Sequence, residues 1–269
     1  RKNISVMNRE DFARLKERFQ SHVNTFYKKL ENDTYEVHLK EQHTFRVCAN
    51  IKLIGQSLKL SDNDLMLAES AALFHDVGRF TQYATYRTFN DQDSENHALL
   101  GLKQIGIHRM LAGLDLNEKR LISRAIAFHN VLTLPNKENE RTLFFMRLLR
   151  DADKLDILEV FADYYKNRDK RQSTAVELGL SDIPVCSEKV IESLRNGQMI
   201  RIADVQSLYD FRLLKISWVY DLNFIHSFQI LNERGYINAI EEGLPTTKPI
   251  ADAVDSARAF IRNRLNNSV

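Results

Sequence analysis

The amino-acid sequence predicts an all-α fold. Three observations carry that expectation. Apolar residues recur at helical spacing through most of the 269 residues. Residues suited to capping stand ahead of several of these stretches. Nine Gly and four Pro leave little material for the many tight turns of an all-β chain.

Residues from about 9 to 31 set Phe12, Leu15, Phe19, Val23 and Phe26 on one face of an amphipathic helix. A second helix is expected from about 38 to 59. Its inner stripe is Val47, Ile51, Ile54 and Leu58, and His43 falls one turn before Val47 on the same stripe. Ser61 is suited to cap the next helix, with Asp64 where a capping box carries Glu, and Leu60 and Leu65 are spaced as a hydrophobic staple. From Leu65 to about Phe74 the chain is apolar nearly all round, so this helix should be buried. It ends in His75-Asp76-Val77-Gly78-Arg79. Two strong polar groups there need a purpose, because unpaired burial costs a few kcal/mol each.

Phe80 to Asp93 is irregular and aromatic-rich and reads as a loop. Ser94 reads as the N-cap of a helix carrying His97, and Asn117 as the cap of another whose stripe Ile122, Ala125 and Ile126 leads to His129. Pro135 and the polar run from Asn136 to Glu140 form a loop. A long helix is expected from about Arg141 to Lys166, with Phe145, Leu149 and Ala152 beside Asp153. Beyond about residue 170 the pattern stays helical, broken near Pro184, Gly197, Gly235 and Pro245. Tyr209, Phe211, Trp218, Tyr220, Phe224 and Phe228 are expected to pack this part against the first. With no linker in view, residues 1–269 read as a single all-α domain, a core at about 30–166 and a helical extension at about 167–269.

Bulk properties weigh against several partners, though net charge leaves room for a local basic patch. A net charge of +2, from 38 basic and 36 acidic residues with the signs interspersed, leaves no electrostatic footprint for nucleic acid or an anionic membrane. Cys48 and Cys186 form no C-x-x-C pair, which suits two free thiols in a reducing cytoplasm. No apolar run approaches the roughly 18 residues of a membrane span, and no signal-peptide pattern is recognisable.

A lone His on an apolar helix face is more often a satisfied core residue than a ligand, and a His-Asp dipeptide is common. The combination differs. His43, His75, Asp76, His97, His129 and Asp153 each stand where a helix face or helix end turns inward. Imidazole with carboxylate suits Fe, Mn, Co, Ni or Zn, whereas Mg and Ca favour all-oxygen sites. Without a thiolate, a structural zinc site is disfavoured. An Asp directly after a ligand His can turn its two oxygens toward two ions, and ions about 3.5–4 Å apart can activate water and polarise a phosphoryl group.

The run Ala71-Ala72-Leu73-Phe74-His75-Asp76-Val77-Gly78-Arg79, with upstream His43 and downstream Arg150-Asp151-Ala152-Asp153-Lys154-Leu155-Asp156, resembles the HD superfamily of metal-dependent phosphohydrolases, whose signature is H…HD…D. The resemblance covers about residues 38–160, and the last hundred residues match nothing in it. It implies an HD-type helical fold with a C-terminal helical extension. His43, His75, Asp76 and Asp153 would be the core ligands, with Asp151 the alternative to Asp153 and Asp156 orienting a ligand His or capping a neighbour. His97 and His129 would either complete a second metal position or contact substrate phosphate beside a single ion, so one or two divalent ions are expected, with Mg a further option. Asp76 would bridge or bind metal and orient the nucleophile. Arg79 and Lys154 would neutralise phosphate charge, with an ion pair to Asp91, Asp93 or Glu95 the other reading for Arg79. Tyr83 and Tyr86, in the stretch from Phe80 to Phe89, would line a substrate lid or simply pack. His22, His38, His108 and His226 are expected to be structural or exposed.

The activity implied is hydrolysis, by metal-bound hydroxide, of a phosphate ester on a nucleotide or other small phosphorylated metabolite. Two alternatives share the signature: a di-iron oxygenase, as in myo-inositol oxygenase, and a non-catalytic signalling or interaction module. The Gly-Tyr-Pro motif of cyclic-dinucleotide esterases is absent from the sequence.

Overall fold

Helices account for the regular structure in the computed structural model, which describes residues 7–167, 177 and 179–267. Among these residues the only β pairing is an isolated bridge between Ser181 and Ser207. The chain divides into two compact units, Arg1–Asp153 and Lys154–Val269.

In the first unit, α1 (Arg9–Leu30) begins at Asn8, whose side chain accepts from the backbone of Glu10 and Asp11 while Asp11 accepts from the backbone of Asn8. Its buried stripe includes Leu15, Phe19 and Val23. Phe19 meets Phe74 and Phe80 edge to face, which ties α1 to the two helices flanking the His-Asp pair. Helix α2 (Tyr35–Ser57) buries Val47, Ile51 and Ile54 as its spacing requires, and packs on α3 (Asp62–Phe74). Ser61 caps α3 by accepting from the Asp64 backbone. Leu60 and Leu65 both lie against the Cα side of Gly55, as a staple would place them.

The stretch expected to be a loop from Phe80 to Asp93 is helical in its first half. Helix α4 runs Val77–Tyr86, and the loop is confined to the residues beyond Tyr86, which include a 3-10 turn at Asp91–Asp93. Burial of Val77, Gly78, Phe80 and Gln82 decides the matter. One of these four is a polar side chain, so the apolar period is broken in sequence though the face is buried in space. Two caps also differ from expectation. Asn96, not Ser94, caps α5 (His97–Ile107) by accepting from Leu99. The Ser94 hydroxyl is used instead within the loop, donating to the Asn90 carbonyl. Asp115, not Asn117, caps α6 (Leu116–Ala127), and the Asn117 backbone is one of its donors. In both cases a carboxamide or carboxylate has reached the free N–H groups of the first turn.

Helices α4 and α5 approach so closely at Gly78 that a Cβ there would lie 2.2 Å from the His97 carbonyl oxygen and 2.5 Å from the Gly101 nitrogen. Only the lack of a side chain permits this crossing. It brings the start of α5 beside the end of α3.

Helix α7 (Glu140–Asn167) contains the division between the units, upstream of the limit near residue 166 expected for the core. The second unit continues with α8 (Glu188–Arg195), α9 (Leu208–Ser217), α10 (Ile225–Glu233), α11 (Tyr236–Glu241) and α12 (Lys248–Asn266). Its aromatic residues pair with one another: Phe161 with Phe211, and Tyr220 and Phe228 with Phe260. Among the described residues, no helix is long and apolar enough to cross a membrane.

Candidate metal centre

Each of the six His and Asp side chains singled out from the sequence reaches a common region of the first unit, from a different structural position. His43 lies within α2; His75 directly follows α3, and Asp76 is the residue before α4. His97 opens α5, His129 follows the end of α6, and Asp153 is within α7. His43, His75, Asp76, His97 and His129 are buried. Three sets of their ligand atoms lie within 4.8 Å of one another: His43 with His75 and Asp76, His75 with His129 and Asp153, and Asp76 with His97 and His129. Asp151 belongs to none of these sets, so Asp153 is the carboxylate of the Arg150–Asp156 run that joins the cluster.

The hydrogen bonds fix which ring nitrogens face inward. His75 Nδ1 donates to the Ala72 carbonyl at 2.7 Å, His129 Nδ1 to the Ile126 carbonyl at 2.7 Å, and His97 Nδ1 to the Asp91 carboxylate at 2.7 Å. In a neutral ring, a hydrogen held on Nδ1 leaves the lone pair at Nε2. Yet His97 Nε2 and His129 Nε2 are 3.0 Å apart, and His43 Nε2 and His75 Nε2 are 3.2 Å apart. Two inward lone pairs at 3.0 Å repel unless a cation lies beside them. Atoms bound to one ion at about 2.1 Å, at tetrahedral or octahedral angles, are separated by about 3.0–3.4 Å, so the spacing is that of a coordination shell. Asp153 Oδ1, 3.2 Å from His43 Nε2 and 3.6 Å from His75 Nε2, is buried without a hydrogen-bond donor in good geometry. These residues fit a divalent metal.

Protonation favours the same use. Burial pushes the pKa of His129 down to about 3, reinforced by His97 and His75, so its ring is neutral at pH 7. Burial also lowers that of His97, helped by Arg79. For Asp76, burial opposes ionisation, but Lys40, His75, Arg79 and His97 outweigh it and hold the carboxyl well below the usual range. His43 and His75 do the same for Asp153 against its burial.

The two basic residues expected to serve phosphate are placed differently. Arg79 Nη1 donates to Gln82 Oε1, the Phe89 carbonyl and Asp91 Oδ1, so the expected ion pair with Asp91 is present. Its Nε is buried, lacks a hydrogen-bond partner and lies 3.7 Å from Asp76 Oδ1. Lys154 falls in the second unit, where its ammonium is 2.6 Å from the Asp221 carboxylate. Tyr83 packs beside Phe89, with ring centroids 5.4 Å apart, and its hydroxyl donates to Asp33; the Tyr86 hydroxyl donates to Glu95. The remaining histidines stand apart: His22 is paired with His108, His38 is near Tyr27, and His226 bonds Gln229.

Two residues that sequence reasoning passed over stand next to the cluster. Lys40 Nζ is 2.9 Å from Asp76 Oδ2 and 5.2 Å from the centre of the Phe89 ring. Its only signal in the sequence is its place one turn before His43 on the same helix face. Arg150 is almost fully buried, and one of its nitrogens donates to the carbonyls of Phe128, His129 and Val131. It thereby holds the segment that carries His129. Its signal is a cation inside an otherwise apolar stripe.

Residues 41–165 match the family model described as the HD domain. No curated protein and no solved structure matches the chain significantly. The matched span contains all six clustered side chains. Residues 41–165 of the chain are an HD domain.

Proposed function

We propose that this protein is a metal-dependent phosphohydrolase that cleaves a phosphate ester of a nucleotide or another small phosphorylated metabolite, using two divalent ions. One observation carries the reading. The carboxylate of Asp76 is divided between two sets of imidazoles: Oδ2 is 3.5 Å from His43 Nε2 and 3.7 Å from His75 Nε2, while Oδ1 is 3.5 Å from His97 Nε2 and 3.8 Å from His129 Nε2. Divalent ions of the Fe, Mn, Co, Ni or Zn type bound on either side would supply the Lewis acidity that activates water and polarises a phosphoryl oxygen.

The chain's own groups then bind and orient the substrate. Asp76 spans the two sides and fixes the attacking water. Arg79 directs its unpartnered Nε toward the same carboxylate and offers positive charge to a phosphate oxygen. Lys40 adds a second cation on the other side of Asp76. Both cations lie within 6 Å of the Phe89 ring centre, which supplies an apolar wall for the rest of the substrate. Lys154 is paired with Asp221 within the second unit.

Elemental analysis of the purified protein, coupled to a screen of phosphorylated metabolites with several divalent ions, tests the proposal. Phosphate release should be abolished by a chelator and restored by adding back one of these ions. A metal-loaded protein that releases phosphate from nothing in the panel, or whose activity ignores chelation, would count against it. The same six side chains also suit di-iron oxygenase chemistry. Substrate-dependent oxygen uptake with a mixed-valent di-iron resonance signal, and no phosphate release, would move the assignment there.

A further inference from the structure

Asp91 is the place where the loop after α4 meets the metal cluster. Four donors converge on its carboxylate: Arg79 Nη1 at 3.0 Å, Gln82 Nε2 at 2.9 Å, His97 Nδ1 at 2.7 Å and Asn130 Nδ2 at 3.4 Å. Its neighbours in the same acidic stretch do nothing comparable. Asp93 accepts from Asn90, and Glu95 accepts from Tyr86, both at exposed positions. The position of Asp91 is also set in advance. Gln82 is completely buried, and its amide donates to Ser94 Oγ and the Glu95 carbonyl as well as to Asp91.

We propose that Asp91 is the positioning residue of the His97–His129 side of the site: one carboxylate holds the His97 ring in the form that presents a lone pair at Nε2 and holds Arg79 beside it. The inference rests on the two-ion reading above and deepens it. Its physical basis is the tautomer of His97. With Asp91 accepting, the proton stays on Nδ1 and Nε2 is free to bind metal. The other polar atom beside Nδ1 is Asn130 Nδ2 at 3.5 Å, which in this orientation is a donor and offers His97 no acceptor. Without Asp91 the proton would move to Nε2, and the ring would face His129 with an N–H in place of a lone pair. His75 and His129 have no such weakness, because their Nδ1 atoms donate to backbone carbonyls of their own helices. His97 alone of these three depends on a side chain from a loop.

Two measurements test the assignment. Two-bond proton–nitrogen correlation spectra of the metal-free wild-type protein should show His97 with its hydrogen on Nδ1; a hydrogen on Nε2 overturns the proposal without any variant. Manganese titration then compares the wild type with Asp91→Asn, using Asp93→Asn as the control. The wild type and the control should take up two ions. The Asp91→Asn protein should keep one at unchanged affinity and bind the other about 10–100-fold more weakly. At one equivalent beyond the tight site, its resonance spectrum should be that of isolated manganese in place of the coupled pair. Two ions at unchanged affinity with a coupled spectrum in Asp91→Asn would overturn the role of Asp91 and leave the two-ion reading standing. A wild type that takes up one ion overturns both.

Discussion

The two sides of the cluster are built in different ways. His43, His75 and Asp153 belong to helices of the core, at two mid-helix positions and one helix end. Their supports come from the helices themselves: His75 bonds the carbonyl one turn back in α3, and Asn50 of α2 donates across the helix packing to the Ala152 carbonyl beside Asp153. His97 and His129 stand at the first residue of one helix and just past the end of another. His129 also bonds the carbonyl one turn back, but this side takes further side-chain support, His97 from Asp91 in a loop and the His129 segment from Arg150 of α7. The first side therefore arises from helix packing, while the second needs extra polar fastenings. A difference of this kind lets affinity at one position be altered with little effect on the other.

The largest effect should come from the residue common to both sides. Asp76→Asn should lower the affinity of both positions together and reduce phosphate release about a thousand-fold, measured by titration and steady-state assay. Loss at one side only would contradict the shared role. Gly78→Ala comes next. Its Cβ would overlap the His97 carbonyl and the Gly101 backbone, so α4 and α5 must separate, at a cost of about 3–4 kcal/mol in denaturant unfolding. The His97 side should weaken more than the His43 side.

A pH response outside the cluster provides a reference for both sides. Burial and the nearby His108 push the pKa of His22 from 6.5 down to about 4. The folded chain thus resists a proton that the unfolded chain accepts. The stability this neutral ring retains above pH 6.5 should fall as pH drops toward 4, by up to about 3 kcal/mol. His22→Phe should flatten that part of the stability curve without changing metal uptake. The smallest effect is expected for Arg150→Met, which removes the donor shared by three carbonyls near His129. It should cost about 2 kcal/mol and loosen the His129 side alone.

The difference between the two sides also explains what can be read in the sequence. His43 stands out because it interrupts a regular apolar stripe, and His75-Asp76 because they end a helix with no other polar reason to be buried. Gly78 and Gly101 are visible as spacings, and their crossing gives those spacings a cause. Helix α4 is hidden because buried Gln82 breaks the apolar period, and its amide nitrogen donates to a loop nine or more residues away. Lys40 and Arg150 look like ordinary helix cations until the partners facing them are known. Asp91 is visible as an ion-pair partner for Arg79, but its bond to His97 depends on a loop whose path no local pattern encodes. The caps of α5 and α6 lie two residues from the positions the pattern suggests, because several Asx and Ser residues compete for each helix start.

Anomalous diffraction from crystals of the manganese-loaded protein is the most direct test of the central claim. Peaks should lie about 2.0–2.3 Å from inward Nε2 and carboxylate atoms, one flanked by His43, His75 and Asp153 and one by His97 and His129, with Asp76 between them. Saturated crystals with no anomalous peak among these six side chains would contradict the account.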